Sequence, residues 1–434
     1  MTAIVAVMNK HAVSVAADSA ATISSSNNQK VFNTANKLFT LSKYHPVSVA
    51  IYNNSELAGI PWETIIKEYR KYLGEKSYSS LNEYANDLFH FMYDRCYFTS
   101  PDNQKLHLYK LMLSFMGEAI FSIRGNNLSI TGPVLTAGIT KLLDQIINDI
   151  KVYPKYPVYD TLEQNDFDHY LCAEIDKVQS RLSSDLNVVL ERAKLVYAFY
   201  LLFTRNIPLP LLYQKYSQFS SLQTFSGIVF TGYGDSEIFP SLYSFRVQYV
   251  IDGKLSVVSE NVYSINIDDD VFIIPFAQAD VMVTLIDGIA PVVKEIYFKG
   301  LADPIKKLLK DISNQVRSAD NKLADNIDQF INKGLQKYIN SYISACDKQR
   351  NKRYTEPLVN SVAMLEKEDL ADFAESLISI TSVKRKMNLN EQNTVGGPID
   401  VLVMSKGDGA VWMKRKHYFD PNLNPNFFNT YLKH

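Results

Sequence analysis

Two short apolar runs with a polar tripeptide between them open the chain. Residues 3–8 (AIVAVM) and 12–17 (AVSVAA) consist of small and β-branched side chains, and Asn9-Lys10-His11 lies between them. A strand that is apolar at every position is buried on both faces, and a polar break between two such runs is typical of a hairpin turn. The pattern therefore predicts a buried β-hairpin at the start of the chain.

The register of this hairpin decides which residues meet at its open end. With Lys10 and His11 as a two-residue turn, Ala3 lies opposite Asp18, and Thr2 is the neighbour of Ala3. Strict alternation places the side chains of Thr2 and Asp18 on opposite faces of the hairpin. We therefore expect a one-residue slip or a bulge that brings both side chains into one site.

A second strand pair and two helices follow. The polar stretch 24–30 predicts a loop, and the runs 37–41 and 47–52 predict two paired strands. Pro61 predicts the start of a helix over 62–73, because proline is favoured at the first helical position. The capping box Ser80-Leu81-Asn82-Glu83 predicts a second helix over 81–95.

The rest of the chain alternates between long helical regions and short strands. Between about 100 and 222, Tyr and Leu recur at mixed helical spacings, which indicates a mostly helical insertion. The further predicted elements are strands at 227–231, 242–251 and 255–262 with an Asp252-Gly253 turn, a helix near 277–297, a helical hairpin over 301–345, a helix at 369–387, and strands at 399–404 and 410–414.

Composition excludes several classes of function. Lys and Arg total 45 and Asp and Glu total 46 in 434 residues, so the net charge of −1 gives no electrostatic reason for nucleic acid or an anionic membrane as a partner. The three cysteines, Cys96, Cys172 and Cys346, are far apart and have no neighbouring His, so we expect neither a disulfide framework nor a zinc site, and no cofactor or metal.

Targeting signals are also missing from the pattern. The opening apolar run has no basic residues before it, which is unlike a secretory signal. The longest aliphatic and aromatic run, 195–203, is nine residues long, against about 20 needed to span a bilayer. With its ordinary apolar fraction of 46%, the chain is expected to be soluble and cytoplasmic.

Thr2 is the candidate nucleophile. A residue as small as Thr at the second position permits removal of the initiator Met1, which would leave Thr2 with a free α-amine. An unperturbed α-amine has a pKa of about 7.7–8.0, so it can act as a base near neutral pH. Threonine paired with its own amine is a known solution to the weak nucleophilicity of a hydroxyl group.

Five segments together resemble one known family. They are Thr2-Ala3-Ile4-Val5, Ala16-Ala17-Asp18-Ser19, Lys37-Leu38-Phe39, Gly232-Tyr233-Gly234 with Pro240-Ser241-Leu242-Tyr243, and Val395-Gly396-Gly397-Pro398-Ile399-Asp400. They are similar to motifs of the proteasome β-subunit group of N-terminal-nucleophile hydrolases, including its bacterial proteasome-like branch. The match covers about 1–98, 223–300 and 366–416.

The resemblance implies an α+β fold, a four-layer αββα sandwich with two large, mainly helical insertions. It divides the chain into a first part of the hydrolase core (1–98), a helical insertion (99–222), a second part of the core (223–300), a helical-hairpin insertion (301–365), and a final part with the C-terminal tail (366–434). It also implies a peptide or protein substrate, assembly into a homo-oligomeric ring or multimer, and an ATPase unfoldase or another protein as a partner.

The resemblance assigns a role to each site residue. Thr2 attacks the scissile carbonyl, and a buried Lys37 ammonium depresses the pKa of the Thr2 amine so that it stays neutral and basic. Asp18 pairs with Lys37, and backbone N–H groups near Tyr52 or Asn53 stabilise the oxyanion.

Departures from the family pattern leave alternatives open. Tyr52 or Asn53 stands where the family has an oxyanion-hole glycine, and residues 276–278 and 392–394 replace its supporting Ser–Asp–Ser set. One alternative is that Thr2 is an ordinary strand residue behind a retained Met1, and that Asp18 and Lys37 form a structural pair. The others are a small-molecule amidase of the same fold, and a catalytically inactive assembly or sensor subunit.

Overall fold

The computed structural model describes residues 3–25, 28–95, 100–125, 127, 129–387, 395–417 and 419–426. The chain is an α+β protein and divides into two compact units. The first unit is Met1–Ala35 with Ile265–His434, and the second unit is Asn36–Ser264. Thr2, Cys96 and residues 392–394 lie outside the described residues.

Strands and helices are numbered separately in chain order. The strands are β1 (Ala3–Met8), β2 (Val13–Ala17), β3 (Ala21–Ser25), β4 (Asn28–Phe32), β5 (Leu38–Thr40), β6 (Val47–Asn53), β7 (Glu56–Leu57), β8 (Ile60–Pro61), β9 (Ser226–Gly232), β10 (Ser241–Ile251), β11 (Lys254–Ser264), β12 (Phe272–Ala277), β13 (Asp400–Ser405) and β14 (Gly409–Lys414). The helices are α1 (Trp62–Leu73), α2 (Leu81–Arg95), α3 (Pro101–Arg124), α4 (Gly132–Ile150), α5 (Gln164–Leu186), α6 (Arg192–Thr204), α7 (Leu209–Gln214), α8 (Asp280–Asp287), α9 (Pro291–Arg317), α10 (Asn321–Lys333), α11 (Leu335–Arg350), α12 (Glu356–Ala363) and α13 (Lys367–Met387).

The first unit contains an antiparallel sheet in the order β12-β1-β2-β13-β14. β1 and β2 form the predicted hairpin in the predicted register, since Ile4 pairs with Ala17 and the Asn9 N–H donates to the Ala12 carbonyl (3.0 Å). The Asn9 carboxamide oxygen accepts hydrogen bonds from the N–H groups of His11 (2.9 Å) and Ala12 (3.1 Å). This local capping explains why a polar residue begins the turn.

Every residue of β1 and β2 is buried. On one face, Ala3, Val5 and Ala16 belong to a core that also contains Leu370 and Leu377 of α13. Burial of both faces accounts for the absence of alternating polar positions in β1 and β2, where Ser14 is the single polar residue.

Among the strands of the first unit, one region was predicted wrongly and one strand was not predicted. The stretch 24–30, predicted as a loop, belongs largely to β3 and β4, which pair antiparallel with Ala21 opposite Phe32. β12 was not predicted, and its apolar run contains Pro275. β12 is an edge strand, so a proline whose nitrogen faces away from β1 removes no hydrogen bond of the sheet.

The helices after β12 also differ from the expected pattern. The helix expected near 277–297 is divided into α8 and α9 by Gly288, whose φ of 71° ends α8 in the left-handed region. α9 is a single helix that continues through position 300, and it packs against α10, with α11 following. The region predicted as a helical hairpin is therefore helical but contains three helices.

The second unit contains the antiparallel sheet β11-β10-β9-β6-β5. Asp252 and Gly253 have φ angles of 50° and 72°, as a two-residue type I′ hairpin turn requires, which confirms the predicted turn between β10 and β11. The predicted helices α1 and α2 cover one face of this sheet, where Trp62 and Phe89 share a core with Phe230.

The predicted helical insertion contains α3 to α7. The core of these helices includes Phe115 and Phe199 and extends to Tyr249 and Ile251 of β10, so the helices pack on the end of that strand. In the described part of the chain, no helix has the length and apolar character needed to cross a membrane.

Candidate active site

Asp18 is a buried carboxylate held by three backbone N–H groups. Its side chain is 1% exposed and follows β2 directly. Oδ1 accepts a hydrogen bond from the Ala3 N–H (2.9 Å), and Oδ2 accepts from the N–H groups of Ala20 (3.2 Å) and Gly396 (3.1 Å). Hydrogen bonds from several N–H donors offset the cost of removing a carboxylate from water.

The Gly396 loop completes this carboxylate site. The Ser19 N–H donates to the Gly396 carbonyl (3.1 Å), and the Ser19 hydroxyl donates to the Pro398 carbonyl (2.6 Å). Gly397 has a φ of 77°, a conformation that favours glycine, and a Cβ there would lie 2.9 Å from Cβ of Asn33. The contact of this glycine pair with Asp18 could not be predicted, because the two segments are 378 positions apart in sequence.

The expected slip or bulge in the hairpin does not occur among the described residues. β1 and β2 keep one register from Ile4 to Met8. The Asp18 carboxylate instead reaches the open end of the hairpin through the Ala3 N–H, which belongs to the peptide bond between Thr2 and Ala3. A side-chain hydrogen bond to the backbone makes this connection without a change of register.

Lys37, in the second unit, is 6% exposed and lies directly before β5. Its carbonyl accepts a hydrogen bond from the Ile51 N–H (2.8 Å), which extends the β5–β6 pairing by one position. This pairing fixes the backbone of a lysine whose side chain is buried.

Tyr52 and Asn53 end β6, and their backbone groups point in opposite directions. The Asn54 N–H donates to the Phe225 carbonyl (3.0 Å), and Tyr52 pairs with Gly227 in the same register. Directly opposed pairs of an antiparallel ladder alternate between hydrogen-bonded and non-hydrogen-bonded. The N–H and C=O of Tyr52 are therefore directed toward β9.

The N–H of Asn53 is directed away from β9. In a trans peptide the N–H of Asn53 points opposite to the carbonyl of Tyr52. The Asn53 N–H is therefore directed to the β5 side of β6, where the Lys37 carbonyl accepts a hydrogen bond from the Ile51 N–H. Asn53 itself has a φ of 67°, and Asn is the residue that best tolerates this region after glycine. An asparagine can thus adopt here a left-handed conformation usually taken by glycine.

Residues 276–278 supply no hydroxyl at the place where the resemblance expects a supporting set. Ala277 pairs with Ala3, so β12 ends at the edge of the sheet where β1 begins. Ala277 also has a φ of 64°, which is strained for alanine. Gln278 is 7% exposed and is the polar side chain of this segment.

Each unit fixes the predicted site residues that it contains. In the first unit, Asp18 is joined to Ala3 and Gly396, and in the second unit, Lys37 is joined to the strand that carries Asn53. Among the residues that the structure describes, no group of His, Cys, Asp and Glu is arranged to hold a metal ion.

Comparisons with known proteins identify no family. No family model matches the chain, and no curated protein is significantly similar in sequence. Among solved structures, the Anbu (ancestral beta-subunit) protein from Yersinia bercovieri is 8% identical, with 100% of this chain and 97% of that chain covered and a TM-score of 0.26. The helical assembly of the Anbu complex from Pseudomonas aeruginosa gives 9% identity, 99% and 94% coverage and a TM-score of 0.27. Likeness of this degree does not establish a shared activity.

Proposed function

We propose that this chain is a proteasome-like threonine peptidase. Removal of Met1 exposes Thr2, the Thr2 hydroxyl attacks the carbonyl of a peptide bond, and the Thr2 α-amine accepts the proton. The observation that carries the proposal is the 2.9 Å hydrogen bond from the Ala3 N–H to the buried Asp18 carboxylate.

This hydrogen bond supports the proposal because it fixes the peptide to which the nucleophile is attached. An N-terminal nucleophile has no residue before it, so its position depends on the peptide bond that follows. The Asp18 carboxylate is itself held by Ala20 and Gly396, which makes it a rigid anchor. A reacting group must be held within about 0.5 Å of its productive position, and an anchor of this kind serves that need.

Lys37 is proposed to tune the Thr2 amine. A positive charge near an amine disfavours its protonated form and lowers its pKa, so that more of the amine is available as a base at neutral pH. The burial of Lys37 supports this role, because a buried ammonium has a stronger electrostatic effect than one in water.

Asn53 is proposed as the oxyanion donor. The sequence left Tyr52 and Asn53 as equal candidates, but the ladder directs the Tyr52 N–H toward β9 and the Asn53 N–H toward the Lys37 side. A backbone N–H donor needs no particular side chain, so the absence of the family's glycine does not remove the function.

The test combines N-terminal mass analysis with turnover of fluorogenic peptides. We expect the purified protein to begin at Thr2, and Thr2→Ala to lower kcat/KM by at least about 1,000-fold, as loss of a nucleophile does. Thr2→Ser keeps a hydroxyl and should retain activity, and Thr140→Ala on α4 is the matched control. A retained Met1, or full turnover by Thr2→Ala, contradicts the proposal.

The four-layer sandwich, the homo-oligomeric ring and an ATPase unfoldase as partner stay part of this proposal. Size-exclusion chromatography with light scattering tests the assembly directly. A mass of several times 49.3 kDa is expected, and a monomer at micromolar concentration contradicts the ring.

A catalytically inactive assembly or sensor subunit is the second candidate. Ala277 favours it, because this residue pairs with Ala3 where the resemblance expects a supporting hydroxyl. In that case, Thr2→Ala and wild-type protein assemble alike, and neither turns over any peptide of a diverse fluorogenic library.

A further inference from the structure

An ion pair between a buried arginine and a partly buried glutamate joins β10 to β11 in the sheet of the second unit. Arg246 lies in the middle of β10 and is 4% exposed, and its Nε is 3.1 Å from Oε1 of Glu260 on β11. Burying a charge is costly, and removal of its partner strongly destabilises the fold because the remaining charge is left uncompensated. The proposed reaction does not use this pair directly, which raises the question of what it holds in place.

The guanidinium joins the sheet to the helical insertion. Nη2 of Arg246 donates to Oδ1 of Asn206 (2.7 Å), and Nη1 donates to the Ile207 carbonyl (3.1 Å), both in the loop between α6 and α7. Gln248 accepts from Nη1 (3.4 Å) and from the Tyr156 hydroxyl. Arg246 therefore fixes the position of the insertion relative to β10.

The carboxylate of the pair joins the same network to Tyr52. The pKa of Tyr52 is raised, first by burial and then by the charge of Glu260, with which its hydroxyl also hydrogen-bonds. The Tyr52 ring lies over Gly227, where an added Cβ would be 2.1 Å from a ring atom, and its edge meets Phe225 at a centroid distance of 6.1 Å. The ring of Tyr52 is thus fixed by Gly227 and Phe225, and its hydroxyl is fixed by Glu260.

A second connection reaches Asn53. Nδ2 of Asn53 donates to the Gln223 carbonyl (3.2 Å). The turn that contains Gln223 is anchored to α3, because the Glu118 carboxylate accepts from the hydroxyls of Ser220 and Ser221 (2.6 Å each). The left-handed backbone of Asn53 is therefore stabilised by Gln223, which directly follows the C-terminal end of the insertion.

We propose that the helical insertion positions the Tyr52–Asn53 peptide, acting through Asn206, Arg246 and Glu260 on Tyr52 and through Gln223 on Asn53. Both contacts fix the peptide plane whose N–H is the proposed oxyanion donor, so these are positioning residues rather than catalytic ones. The inference rests on the proposed function, and it adds that the insertion controls the rate of the chemical step.

The test uses two variants with matched controls. Asn206→Ala removes one acceptor of Arg246, and its control is Asn148→Ala on α4. Tyr52→Phe removes the hydroxyl bound to Glu260, and its control is Tyr93→Phe, which loses a hydrogen bond to Leu255 (3.1 Å) on the same strand β11. Each protein is measured by peptide turnover and by hydrogen–deuterium exchange over residues 48–57.

We expect Asn206→Ala and Tyr52→Phe to lower kcat by about 10-fold with KM unchanged, since an oxyanion contact acts in the transition state. We also expect exchange over 48–57 to accelerate by about 10-fold in both variants and in neither control. Exchange can be measured without activity. If the wild-type chain is inactive but exchange is faster in both variants than in wild type, the coupling is supported and the peptidase is refuted. Unchanged exchange in both variants, or faster exchange with unchanged kcat in an active enzyme, overturns the inference.

Discussion

Replacement of Asp18 by Asn tests the anchor on which the proposed site depends. The carboxylate accepts three backbone N–H groups with two oxygens, one at Oδ1 and two at Oδ2. An Asn side chain has one acceptor oxygen, so its best orientation keeps the bonds from Ala20 and Gly396. Its NH2 group then faces the Ala3 N–H, a donor against a donor.

The magnitude follows from the count of hydrogen bonds. An unsatisfied buried donor costs about 1–3 kcal/mol, and each of the two remaining bonds weakens by about 1 kcal/mol when its acceptor loses its charge. Burial of a neutral amide is less costly than burial of a carboxylate, which offsets part of this loss. We expect Asp18→Asn to lower the free energy of unfolding by about 3 kcal/mol.

Urea unfolding followed by circular dichroism measures this change, with Asp311→Asn on exposed α9 as the matched control. The control should differ from wild type by less than about 0.5 kcal/mol. The same Asp18 variant should lose peptide turnover even where it remains folded. A destabilisation below about 1 kcal/mol would refute the reasoning, because three charge-assisted bonds cannot be lost or weakened at so small a cost.

Three further predictions concern other parts of the molecule. Lys37→Met should raise the pKa of the Thr2 amine, so the acidic limb of the kcat/KM–pH profile should move up by about 1 unit, and an unmoved limb contradicts the tuning role. Gly227→Ala should destabilise by more than about 2 kcal/mol, because its Cβ would lie 2.1 Å from the tyrosine ring opposite, whereas Gly300→Ala on α9 has open space and should stabilise. Hydrogen bonds from Lys215 and a tyrosine hydroxyl lower the pKa of Asp149 below its ordinary value, so the contribution of Asp149 to stability is present above that ordinary value and is lost as the pH falls through the lowered pKa. Asp149→Asn should therefore be destabilised by about 1 kcal/mol at pH 5 and by less at pH 2 in urea unfolding, and an equal loss at both values contradicts the assignment.

Local patterns predicted the elements nearest to the site. The hairpin register followed from the turn at Asn9 and the two apolar runs, because a short turn leaves few alternative pairings. The Asp252-Gly253 turn was predicted for the same reason, since both residues accept a positive φ. These features depend on residues that are neighbours in sequence.

Features that depend on distant contacts were not predictable in the same way. β12 was missed because its edge position, which tolerates Pro275, is a property of the assembled sheet. The contact of Gly396 with Asp18 joins residues 378 positions apart. The sequence indicated the positive φ of Asn53 only weakly. An asparagine directly after an apolar strand is one of the residues that can adopt the left-handed conformation in place of glycine.

The Arg246–Glu260 pair had a clearer signal that was not used. Arg246 interrupts the strand SFRVQYVI, and a charged residue in the middle of an otherwise apolar strand must find a partner when the strand is buried. The identity of that partner could not be read from the sequence, because Glu260 is on β11, where many polar residues alternate.

Acid-quenched intact-mass and peptide-mass analysis during turnover of a slow ester substrate tests the central claim most directly, because an N-terminal nucleophile forms a covalent acyl intermediate. The account predicts one acyl group per chain, on a proteolytic fragment that begins with Thr2. An adduct on another residue, or an unmodified fragment that still begins with Met1 while the substrate is consumed, would contradict it.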